Sequence, residues 1–96
     1  MGQIAKLIEV IKQLSCFDAE YTIYAEQPWT ENSRAMVAFE PEGGTIPSDA
    51  LVANMAYLIE VNIASEFLED WEASLKDSPS LPEKTQRLIQ YARDDA

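Results

Sequence analysis

Apolar and polar positions along this chain repeat with two different periods, and the places where the period changes mark its elements. Ile4, Leu7, Ile8, Ile11 and Leu14 recur at helical spacing, with Lys6, Glu9, Lys12 and Gln13 on the other side. That pattern predicts an amphipathic helix over 3–15. The period then drops to two. Tyr21, Ile23 and Ala25 fall on one face, and Thr22, Tyr24 and Glu26 on the other, which predicts a strand over 20–26. Pro28 stops it, because proline donates no ladder hydrogen bond. Residues 34–40, Arg-Ala-Met-Val-Ala-Phe-Glu, predict a second strand antiparallel to the first, ended by Pro41 and Gly43-Gly44. The loop between the strands, 27–33, is polar except for Trp29.

The longest apolar-rich stretch follows. Helical spacing predicts one long helix over 49–75, with Ser48 as N-cap and Asp49 favourable to the helix dipole. Its two halves differ. Leu51, Val52, Met55, Leu58, Ile59, Val61 and Ile63 place apolar side chains nearly all round, the mark of a segment buried on every side. From Ala64 onward the pattern is amphipathic. Ala64, Phe67, Leu68, Trp71 and Leu75 face one way, and Asn62, Glu66, Glu69, Asp70 and Asp77 the other. The segment has one candidate break, near Asn62. Asp77-Ser78-Pro79 reads as a turn. Ser80-Leu81-Pro82-Glu83 then matches a capping box, opening a last helix over 81–93 with Leu81, Leu88, Ile89 and Ala92 inward and Glu83–Arg87 as an i, i+4 pair.

These elements define a small single-domain α+β fold over residues 1–96, in the order α-β-β-α-α. An antiparallel hairpin packs on three helices, the second long and central. A two-stranded hairpin is marginal alone, so it must pack on the helices, gain a strand or pair through an open edge.

Charge changes the picture. The chain holds 17 acids against 7 basic residues, a net −10, and no lysine or arginine lies between Arg34 and Lys76. Glu40, Glu42, Asp49, Glu60, Glu66, Glu69, Asp70 and Glu72 fill that gap. Such a charge helps solubility and projects a field that attracts cations. It disfavours nucleic acid and anionic membranes, which both need positive charge. Apolar content of 47% and nine aromatics, by contrast, are those of a folded chain. The N-terminal apolar pattern is cut by Lys6, Glu9 and Lys12, and no uncharged run is long enough to cross a bilayer, so a soluble cytoplasmic protein is expected.

Absent residues remove whole chemistries. There is no histidine, hence no Ser-His-Asp or Cys-His machinery and no imidazole metal site. One cysteine, Cys16, excludes an internal disulfide and is expected to be a small buried hydrophobe. No phosphate-binding glycine loop and no calcium-loop spacing occurs. No catalytic residue, cofactor or metal site is assigned, and the chain is expected not to be an enzyme.

Three features remain as candidates. The first is the acidic face of Glu66, Glu69, Asp70 and Asp77, with Glu72 beside it, whose like charges add their fields. The second is Glu60, which a helical wheel places among Tyr57, Ala64, Phe67 and Trp71 as a candidate buried acid, either paired or with a raised pKa. The third is Trp29 at a loop tip, either an interface anchor or folded back on the hairpin.

Together they lead to the expectation of a non-enzymatic acidic module that docks on or masks a basic protein surface. Small acidic inhibitors and immunity proteins act in that way, a likeness of size and charge only. Two alternatives stand beside it. One is a homodimer joined through the hairpin edge or surplus apolar surface. The other is a ligand or catalytic pocket around Glu60, Tyr57 and Tyr24.

Overall fold

The computed structural model describes residues 4–38 and 55–95, apart from the side chain of Asp95. In chain order the elements are β1 (Ile4–Lys6), α1 (Leu7–Lys12), a 3-10 turn (Leu14–Cys16), β2 (Thr22–Glu26), β3 (Arg34–Ala38), β4 (Met55–Glu60), α2 (Val61–Ala73) and α3 (Leu81–Asp95). The result is an α+β domain whose described residues have the order β-α-β-β-β-α-α. Its four-stranded sheet runs β1-β3-β2-β4, antiparallel at every pairing.

The β2–β3 hairpin is as the alternation predicts, with Ile23 opposite Val37 and Ala25 opposite Ala35. These four side chains share one cluster with Leu7, Val10 and Ile11 of α1 and with Leu88, Ile89 and Ala92 of α3. The helices therefore cover this face of the sheet. Thr22, Tyr24 and Met36 alternate to the opposite face, where Tyr24, Met36 and Met55 form a second buried cluster. Both central strands are thus buried on both faces.

Two expectations are corrected. The first helix does not span 3–15. Ile4, Ala5 and Lys6 are exposed strand residues, paired with Met36, Ala35 and Arg34 of β3, and the helix starts at Leu7. Likewise, 49–75 is not one helix. Met55–Glu60 is strand β4, the helix begins at Val61, and it ends at Ala73. Residues 39–54 lie outside the described residues, including the predicted strand end at 39–40, Ser48, and the start of the predicted long helix. Among the described residues, the order α-β-β-α-α accordingly gives way to a sheet of four strands with two long helices and one short one.

The physical reason is common to both. Each strand runs straight into its helix with no intervening turn, so no turn residue marks the boundary, and the apolar residues on either side of Lys6 and of Glu60 keep helix-like spacing. The N-cap positions are Lys6 and Glu60, and neither side chain caps. Loop carbonyls take over that duty. Leu7 and Ile8 donate their backbone N–H to the carbonyls of Ser33 and Glu31 at 2.8 and 3.0 Å. Val61 and Asn62 donate theirs to Tyr21 and Ala19 at 2.9 and 3.2 Å. Groups that would otherwise be orphaned at a helix start are satisfied by a neighbouring loop, so no capping residue is needed in the sequence.

β4 also hides its period. Ile59 faces Ile23 but Tyr57 faces Tyr24, so Leu58 is an extra residue in a β-bulge. Leu58 and Ile59 both enter the helix-side core, while Met55 belongs to the far-side cluster. A bulge of this kind breaks strict alternation.

The last helix fits its prediction, running two residues further than expected. Ser80 and Glu83 form the capping box: Ser80 N–H donates to Glu83 Oε1 at 3.1 Å and Glu83 N–H to Ser80 Oγ at 3.3 Å. Leu88, Ile89 and Ala92 are buried. Thr85, fully buried on the same stripe, donates its hydroxyl to the Leu81 carbonyl at 2.9 Å.

Candidate functional site

The outer face of α2 carries Glu66, Glu69 and Asp70, all exposed. Val61, Ala64 and Leu68 hold the opposite face in the core, and this fixes which way the acids point. Glu72 sits apart. It is half-buried on the flank of the helix, with its Oε1 3.3 Å from Lys84 Nζ of α3. Glu66, Glu69 and Asp70 therefore share the solvent face of α2, Glu72 ties α2 to α3, and Asp77, though exposed, lies beyond the end of the helix. Leu75, predicted on the inward stripe, is exposed because the helix ends before it. Ser74 closes that end by donating its hydroxyl to the Trp71 carbonyl at 2.6 Å.

The other flank of α2 is aromatic. Phe67 stacks on Tyr91 with centroids 4.1 Å apart, and the Arg87 guanidinium lies 5.1 Å from the Phe67 centroid. The predicted Glu83–Arg87 pair does not form. Glu83 is held by Ser80, whose backbone and side-chain hydrogen bonds lower its pKa below the usual 4.5, and Arg87 turns to the aromatic ring.

Glu60 is not on a helix face. It is the last residue of β4, opposite Thr22, with extended backbone angles, and is half-exposed. The register puts it on the far face of the sheet with Tyr24 and Tyr57, which meet edge to face at 6.4 Å. The helical-wheel environment of Ala64, Phe67 and Trp71 is thereby replaced, since those residues lie on the helix-covered side.

Trp29 folds back. Its indole packs half-buried against the main core, and Nε1 donates to the Ala25 carbonyl at 3.1 Å. The loop around it is cross-tied: Ser33 Oγ donates to the Pro28 carbonyl at 3.1 Å and accepts from Thr30 N–H at 2.8 Å. Beyond this loop, Arg34 Nη2 donates to Glu26 Oε2 at 2.9 Å, and that hydrogen bond holds the Glu26 pKa below 4.5. Cys16 is exposed, against expectation, because it lies on the 3-10 turn and not on the buried stripe of α1.

Two grooves flank the α2–α3 pair. A smaller one, about 220 Å³, runs past Leu14, Ser65, Leu68, Glu69, Glu72 and Lys84. A larger, open one of about 550 Å³ lies between Trp71 and the outer side of α3, where Gln86, Arg87, Gln90 and Arg93 line it with Glu83 and Asp94. Neither includes Glu60. Sequence reasoning passed over this larger groove, although Arg87 and Arg93 stand out among so few basic residues. Among the described residues no cluster of three or more acids and thiols is placed to hold a metal ion, and no helix is long and apolar enough to cross a membrane.

Compared with protein-family models, curated proteins and solved structures, the chain matches none of them.

Proposed function

We propose that this protein is a non-enzymatic binding module whose acidic α2 face docks on or masks a basic surface of a partner protein. One observation carries the reading. Glu66, Glu69 and Asp70 stand exposed on one helix face with no ion pair among the described residues, while Lys84 pairs with Glu72 and Arg87 lies over Phe67. Like charges held together on a chain of net −10 raise the rate of encounter with a cationic surface. Trp29, tied into its own loop, is not needed as an anchor.

The test is affinity capture from native lysate at low salt, with wild type and a Glu66→Lys, Glu69→Lys, Asp70→Lys variant as baits. A basic protein retained stoichiometrically by wild type, released sharply by salt and lost by the variant supports the reading. Equal retention by both baits overturns it, as does a smear of generic basic proteins.

A second reading, self-association, rests on β1. It is the terminal strand of the sheet among the described residues, its three residues are exposed, and Ile4 is 51% exposed. The two readings respond oppositely to salt. Screening weakens attraction to a basic partner but relieves repulsion between two copies of charge −10.

A further inference from the structure

We infer that the groove between Trp71 and α3 receives a carboxylate carried by the same basic partner, so that the docking surface is two-signed and fixes the partner's orientation. This rests on the proposed function and specifies its partner: a surface that is basic where it meets α2 and carries an acidic side chain beside that patch.

The argument starts from the arginines. The chain has three, and Arg34 is committed to Glu26 at 2.9 Å. The other two, Arg87 and Arg93, both line this one groove. Neither has a carboxylate within ion-pair distance among the described residues, although the chain holds 17 acids. Two acids, Glu83 and Asp94, also line the groove, and neither is within ion-pair distance of the arginines. Glu83 is bound to the backbone of Ser80, and Asp94 belongs to the exposed last turn of α3. Arg87 is anchored over Phe67, which orients its guanidinium without using up its N–H donors. Gln86 and Gln90 add amide donors, and Trp71 supplies an apolar wall.

The charge of the whole chain selects the source of the anion. A free small anion approaches against the field of a −10 molecule. A carboxylate attached to a basic body is carried in by that same field. Trp71 follows Asp70 directly on α2, so the groove borders the acidic face and one partner surface can reach both.

Two synthetic peptides of equal net positive charge provide the probe. One contains only lysine and alanine; the other carries a glutamate pair, with two further lysines to keep the charge. Affinity is measured at low salt, and the Trp71 indole N–H is followed by NMR, assigned with Trp71→Phe. Wild type should bind the glutamate-bearing peptide about fivefold more tightly, the scale of exposed charge pairs. Only that peptide should move the Trp71 signal. Arg87→Gln/Arg93→Gln should erase the preference without weakening binding of the lysine–alanine peptide. Arg93→Gln alone, which leaves the Phe67 contact intact, should reduce it. Equal affinity of wild type for both peptides overturns the groove inference and leaves the function reading standing. Failure of both peptides to bind overturns both. A Trp71 signal moved equally by free glutamate or inorganic phosphate overturns the assignment to a partner-borne carboxylate.

Discussion

Leu58 and Ile59 are consecutive residues of β4, and both enter the same core. In a regular strand they would face opposite sides. The bulge opposite the Ile23–Tyr24 step directs both toward the helices, and each is 1% exposed. Leu58→Ala and Ile59→Ala should therefore each destabilise the fold by about 2–5 kcal/mol, the range for emptying a packed site. Urea denaturation of the two variants checks this; a near-neutral result for either would place that side chain outside the core.

The capping box makes a separate prediction. Ser80→Ala should cost about 1 kcal/mol, seen as a lower urea midpoint with unchanged slope.

Acid sensitivity should come partly from Glu26 and Glu83. Both have folded-state pKa values below the usual 4.5, Glu26 through its hydrogen bond from Arg34 and Glu83 through those from Ser80. A lowered carboxylate pKa stabilises the fold above the unfolded value. That contribution is lost as pH falls below about 4.5 through the folded value. Stability measured from pH 6 to pH 3 should decline less steeply in Glu26→Gln and Glu83→Gln than in wild type.

Reversing the acidic face should leave the fold intact. Glu66, Glu69 and Asp70 are exposed, and among the described residues none forms an ion pair. Each single change to lysine should alter stability by no more than about 0.5 kcal/mol. A cooperative thermal transition near that of wild type is the check, and it is what lets a binding defect in the triple variant be read as loss of recognition.

Glu72 and Lys84 should behave differently. Their ion pair joins α2 to α3 and both side chains are about one-third exposed. A double-mutant cycle with Glu72→Gln and Lys84→Met should give a coupling of about 0.5 kcal/mol that shrinks in high salt.

What could be read from the sequence divides along these same lines. The β2–β3 hairpin was legible because Tyr21, Ile23 and Ala25 alternate cleanly and Pro28 stops the strand. The last helix was legible because Ser80 and Glu83 announce its start and Leu88, Ile89 and Ala92 repeat at its period. β1 and β4 were not. Ile4 sits at helical spacing from Leu7 and Ile8, so a three-residue strand merged with the helix that follows. Met55–Glu60 is a short strand whose buried residues, Met55, Leu58 and Ile59, are also at helical spacing, and a short apolar run of that kind cannot be told from a helix segment by periodicity. The bulge at Leu58 removed the remaining alternation. Of the candidate site, the exposure of Glu66, Glu69 and Asp70 followed from amphipathicity within α2. The environment of Glu60 did not, because it depended on a wheel drawn through a strand.

The direct passage from β4 into α2 has a consequence for how the acidic face is aimed. With no linker to absorb a change, the rotation of α2 is locked to the pleat of β4 through the Val61–Tyr21 and Asn62–Ala19 hydrogen bonds. One residue inserted or deleted at this junction would turn the helix by about 100° relative to the sheet. Glu66 and Asp70 would swing toward the core, and Leu68 out of it. Length at Glu60–Val61 should thus be intolerant of change even though neither residue belongs to the exposed acidic face. The junction acts as the indexing stop that decides which side of the molecule is negative.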